Sequence, residues 1–112
     1  MSENTPELEQ RKSQRFKVEV AVKVRLSGKT SVAHGTGSNI SDGGMQLFIS
    51  RNLEVGQQVT LELSLPYHRK TLRLRAIIKN RVSFDYGVEF ISPSEHDREV
   101  IVQNCRVLAL MQ

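Results

Sequence analysis

Tryptophan is absent from this 112-residue chain, cysteine occurs once, and aromatic residues make up only 5% of it. The lone Cys105 excludes an internal disulfide framework and suits a reducing compartment. No apolar run approaches the roughly 18 residues of a membrane span, so membrane insertion is not expected. The start, Met1 to Glu9, is polar and acidic, unlike a secretory or transit signal, which points to a cytoplasmic protein. His34, His68 and His96 lie far apart and share no metal-ligand spacing with Cys105, so no metal site is expected. Gly35-Thr36-Gly37 is followed by Ile40 where a dinucleotide fingerprint needs its third glycine, and no phosphate-loop motif is complete. Nothing is arranged to move protons or attack a carbonyl, so the chain does not read as an enzyme.

What is present is a small basic module. Lys plus Arg number 16 against 12 Asp plus Glu, a net charge of +4, which favours an anionic partner without naming it. Residues 1–15 hold one aliphatic side chain, Leu8, and are expected to form a mobile arm. From Phe16 the pattern changes. Phe16, Val18, Val20, Val22, Val24 and Leu26 alternate with Lys17, Glu19, Ala21, Lys23 and Arg25, the period of a half-buried strand. Ser27-Gly28-Lys29 is a turn. Further strands are expected at 30–37 (weakened by Gly35 and Gly37), 45–49, 59–65, 72–78 and 86–90, with Asn39 to Gly44 as a tight loop. Six short antiparallel strands indicate a barrel or a sandwich. Ser92-Pro93-Ser94-Glu95 carries a capping-box signature with Ser92 as the cap. Ile101, Cys105 and Leu108 then recur at helical spacing, so 93–110 is expected to be an amphipathic helix that covers the sheet.

Two short motifs stand out. Arg11-Lys12-Ser13-Gln14-Arg15 sets two arginines four apart where the arm meets the first strand. Ten arginines produce roughly one such pair by chance, so it means little alone. Asn39-Ile40-Ser41-Asp42-Gly43-Gly44 is rarer, with a chance expectation of about 0.05, although its residues are also ordinary turn formers. Together and in this order they resemble the PilZ domain family, receptors for the bacterial second messenger cyclic di-GMP. The family pattern, R-x-x-x-R followed by [D/N]-x-S-x-x-G, is met by Arg11, Arg15, Asn39, Ser41 and Gly44, with Asn where Asp is common. Gly87-Val88-Glu89-Phe90 is similar to the G-x-x-F of the family's last strand.

The resemblance implies a mainly β fold, a six-stranded antiparallel barrel over about 16–91 with a C-terminal helix over about 93–110. It divides the chain into an arm at 1–10 and a PilZ domain at 11–110. It further implies that Arg11 and Arg15 grip guanine and phosphate while Asn39, Ser41 and Gly44 form the platform, with Lys12 and Gln14 as lesser contacts. These residue types fit the ligand. A guanidinium pairs bidentately with a guanine edge or a phosphate, and a side-chain amide both donates and accepts. Gly44 would leave room for a base near the backbone. The expected function is cyclic di-GMP reception and signalling to an unidentified downstream protein, by a monomer or weak homodimer with no cofactor. Two rivals remain: an adaptor of the same fold working without nucleotide, and a basic barrel binding single-stranded DNA or RNA, which the scarcity of aromatics disfavours.

Overall fold

The computed structural model describes residues 14–26, 28 and 30–112. The expected arm over 1–10, the motif residues Arg11 and Lys12, and Ser27 and Lys29 of the first turn lie outside the described residues. Six antiparallel strands close into a barrel: β1 Phe16–Leu26, β2 Val32–Ile40, β3 Gly44–Ile49, β4 Gln58–Leu63, β5 Leu72–Val82 and β6 Asp85–Phe90. Their order round the ring is β1-β2-β3-β6-β5-β4. One helix, α1 Glu95–Met111, follows the last strand. This is the barrel-and-helix architecture expected from the sequence.

Alternation builds the core. In β1 the inward Val20, Val22, Val24 and Leu26 are all buried, and Leu61, Leu74, Ile78, Tyr86 and Val88 meet them from the other strands. Each such side chain contributes about 1.5–3 kcal/mol by leaving water. Tyr86 is fully buried, and its hydroxyl accepts the Leu53 N–H at 2.9 Å while donating to the Arg51 carbonyl. That pair of bonds ties the β3–β4 connection to the core and satisfies a polar group that would otherwise be costly there.

Several boundaries depart from expectation: β2 begins at Val32 rather than at 30, β4 ends at Leu63 rather than at 65, and three others differ for visible reasons. The second strand runs to Ile40, so Asn39 and Ile40 belong to β2 and only 41–43 form the connection. The glycines that obscured it are packing sites, since a Cβ on Gly37 would lie 2.6 Å from Met45 Cε and 2.9 Å from Val20 Cγ2. Strand β5 extends to Val82, beyond its apolar run, because it pairs with β6 as a hairpin down to Val82 opposite Asp85. The helix begins two residues later than the capping box suggested. Ser92 has a left-handed φ of 42°, and Ser94 is the cap, its hydroxyl accepting the Asp97 N–H at 3.1 Å.

Ile101, Cys105 and Leu108 are buried as the stripe required, and Asn104, outside that stripe, is buried beside them. The helix end is fastened to the barrel. The Gln112 side-chain amide accepts the Lys17 N–H at 3.1 Å and donates to the Lys17 carbonyl at 2.6 Å.

Candidate functional site

Arg15 of the first motif meets Asn39 of the second. Arg15 precedes β1, and Asn39 sits in β2, where it pairs with Lys17 across the ladder. That register brings Arg15 Nη1 to within 3.1 Å of Asn39 Oδ1, so the guanidinium donates directly to the second motif's amide across 24 residues of sequence. Arg15 is exposed.

Ser41 and Gly44 are placed differently from the simple expectation of a platform. Ser41 is only 4% exposed. Its backbone N–H donates to the Gly44 carbonyl at 2.9 Å, and its hydroxyl donates to the same carbonyl at 3.4 Å while accepting the Gly43 N–H at 3.3 Å. The serine therefore braces the turn from inside. Gly44 is buried against β6, and a Cβ there would overlap the Val88 carbonyl oxygen. Its lack of a side chain serves strand approach, whatever else it allows. Gly43 faces open space.

Around these residues is a shallow depression of about 230 Å³. Arg15, Ser41, Gly43 and Gly44 line one side. Lys79, Asn80, Gly87, Val88 and Glu89, from β5 and β6, line the other. Such a volume lies below the roughly 300–1,000 Å³ of enclosed small-molecule sites, so a dinucleotide would lie upon it rather than within it. Sequence reasoning missed the second group. Lys79, Asn80 and Glu89 look like an ordinary solvated strand face; a bulge between Ile78 and Asn80 sets Asn80 opposite Gly87, and the β3–β6 register sets Glu89 opposite Gly44. Asn80 lies over Gly87, where a Cβ would meet its Oδ1 at 2.5 Å. Lys79 and Glu89 form an exposed ion pair at 3.7 Å, so the rim carries both signs of charge beside Arg15.

Gln14 opens on a second cavity, about 200 Å³, between the start of β1, Asp42 of the motif turn and Cys105 and Arg106 of the helix. The helix, expected only to cover the barrel, thus comes close to the motif turn. Burial, with the nearby Asp42 charge adding to it, pushes the Cys105 thiol up to about 11, so it stays neutral and unreactive at physiological pH. His34 and His96 are exposed and His68 is half-buried. Among the described residues, no group of three His, Cys, Asp or Glu could hold one metal ion. Among those residues, too, no helix is long and apolar enough to cross a membrane.

Comparison with known proteins places this geometry. No curated protein sequence matches the chain significantly. Among solved structures, a PilZ domain of CeSA from a cellulose-synthesizing bacterium superposes with a TM-score of 0.69 at 18% identity, covering 89% of this chain and all of that one. The inhibitor of motility MotI/DgrA of Bacillus subtilis gives a TM-score of 0.76 at 18% identity over 91% of this chain, which spans 52% of that protein. The PilZ domain of YcgR from Escherichia coli, a structure with c-di-GMP, gives 0.68 at 13% identity, covering 86% and 88% of the two chains. At these identities the likeness establishes the fold. The sequence itself matches the PilZ domain over residues 9–106, spanning both motifs, every strand and most of the helix, and the chain belongs to the PilZ domain family.

Proposed function

We propose that the chain is a cyclic di-GMP receptor, a regulatory binding module rather than an enzyme, that acts in the bacterial cytoplasm by signalling to another protein. The observation that carries this reading is the contact between Arg15 and Asn39, one residue from each motif, at the rim of a single depression. Family membership and the ligand in the YcgR structure support the choice of nucleotide. In this reading the guanidinium of Arg15, held near the site by Asn39, turns to a guanine edge or a phosphate, and Arg11 supplies a second fork. Asn39 then offers its freed amide to a base, and Lys12 and Gln14 make lesser contacts. Ser41 and Gly44 contribute by fixing the turn: one braces it and the other lets it sit close to β6. Lys79 adds a cation to the attraction for the two phosphodiesters.

The reading is tested by titrating wild type, Arg11→Ala, Arg15→Ala and Asn39→Ala with cyclic di-GMP. Each arginine change is expected to weaken binding by about 1–3 kcal/mol, the worth of a bidentate contact. Arg15→Ala should leave the melting temperature nearly unchanged, because an exposed side chain with one hydrogen bond stabilises the fold little. Undiminished affinity in the arginine variants would remove them from the site. A wild type that binds no nucleotide would favour the adaptor reading.

A further inference from the structure

We infer that the outer wall formed by β1, β4 and the first half of β5 is a docking surface for an acidic segment of a partner protein. The inference stands apart from the ligand reading. In the ring order, β4 lies three places from β3, across the barrel from the motif turn.

Register builds the wall. Lys23, Glu62 and Arg73 face one another in one row, and Arg25, Thr60 and Arg75 in the next. Three strands about 4.8 Å apart and rows two residues apart gather four cations within roughly 10 Å by 7 Å. With the single Glu62 this patch has a net charge of +3, out of +4 for the whole chain. Charge elsewhere nearly cancels.

The lone carboxylate organises the cations. Glu62 Oε2 accepts Arg73 Nε at 3.0 Å and Nη2 at 2.6 Å, and Arg25 Nη2 stands 3.7 Å away. The Glu62 side chain is 15% exposed against 71% for Arg73 and 43% for Arg25, so the carboxylate lies beneath and the guanidiniums lie outermost. They are held in place with unused donors directed outward, a pre-ordered arrangement for bidentate pairing with carboxylates. Beside them a depression of about 440 Å³ is lined by Lys23, His34, Glu62, Ser64 and Thr71, with small residues Ala21 and Gly35 opening it. An acidic side chain entering there meets an ammonium, an imidazole and two hydroxyls, beside a Glu62 carboxylate already engaged by Arg73.

The same wall fits other anions poorly. None of the six residues in the two rows is aromatic, so they offer no stacking platform for a single strand, and none is a large aliphatic that could insert into a bilayer.

The test uses the full chain and a labelled oligoglutamate peptide at low ionic strength. Lys23→Glu combined with Arg75→Glu reverses two exposed charges outside the Glu62 ion pairs. Arg98→Glu combined with Arg106→Glu makes the same charge change on the exposed face of the helix. The wall variant is expected to lose about tenfold or more in affinity and the helix variant less than about twofold. In the wild type, peptide should shift the amide resonances of Lys23, Arg25, Thr60, Glu62, Arg73 and Arg75 above all others, a readout that needs no variant to fold. Equal losses in the two variants, shifts centred elsewhere, or tighter wild-type binding to duplex DNA or phosphatidylserine vesicles would overturn the proposal. Cyclic di-GMP titration of the wall variant reads the ligand site separately, so failure of one reading is distinguishable from failure of the other.

Discussion

Gly44→Ala separates two reasons for a glycine in the motif. If the glycine is there only to make room for a base, adding a methyl costs affinity and nothing else. The structure predicts more. A Cβ at residue 44 overlaps the Val88 carbonyl oxygen and lies 3.2–3.3 Å from Val88 C and Glu89 Cα, all backbone atoms of β6. No side chain can swing away, so β3 and β6 must separate where Gly44 faces Glu89. Insertion of a methyl into a packed site costs about 1–3 kcal/mol. Separation also loosens the neighbouring ladder, including the bond from the Phe90 N–H to the Gly43 carbonyl at 2.9 Å, at about 0.5–1.5 kcal/mol for each bond lost. The expected total is about 2–5 kcal/mol, or a fall in melting temperature of roughly 8–20 °C for a domain of this size. Gly43→Ala, whose Cβ meets nothing within 4 Å, is the control and should stay within about 0.5 kcal/mol of wild type. Thermal and urea unfolding of both variants without ligand measure this. A Gly44→Ala protein that melts with the wild type would refute the packing argument and return the residue to the ligand.

Two further outcomes concern the helix. Ile101→Ala and Leu108→Ala should each cost about 2–5 kcal/mol in urea unfolding, because both side chains are buried against the barrel; unchanged stability would mean that the stripe is covered by something other than this chain's own core. Cys105 should make stability fall as pH rises from about 8.5 towards 11: the unfolded thiol ionises first, while the folded one is held neutral up to about 11. Urea midpoints of wild type and Cys105→Ala should therefore converge or cross over that interval, and parallel curves would contradict the assignment.

The fold was legible where side-chain period and burial agree. The alternation from Phe16 to Leu26 marks β1 to the residue, because its inner face meets a closed core and its outer face meets water. Legibility fails where a neighbour fills the space that a side chain would have marked. Gly35 and Gly37 break the pattern of β2 because Ile49, Met45 and Val20 occupy that volume. The polar end of β5 carries no apolar signal, since it is held by pairing with β6 rather than by burial. The helix cap shifted from Ser92 to Ser94 because two serines offer equivalent oxygens and only backbone conformation selects between them. The site shows the same division. Spacing picked out Arg15 and Asn39, but their contact depends on a strand register that no local pattern contains. Lys79 and Asn80 required the bulge in β5 to be known first, and Glu89 the register of β6 against β3.

Whether this barrel captures the proposed nucleotide is measured directly by calorimetric titration of the wild-type chain with cyclic di-GMP, run beside GMP and cyclic GMP. Saturable binding of the cyclic dinucleotide is predicted, with GMP far weaker because it offers one base and one phosphate to a proposed site whose two arginines would each hold one of a pair. A flat trace up to roughly millimolar ligand, where binding free energy has dwindled to about −4 kcal/mol, would contradict it.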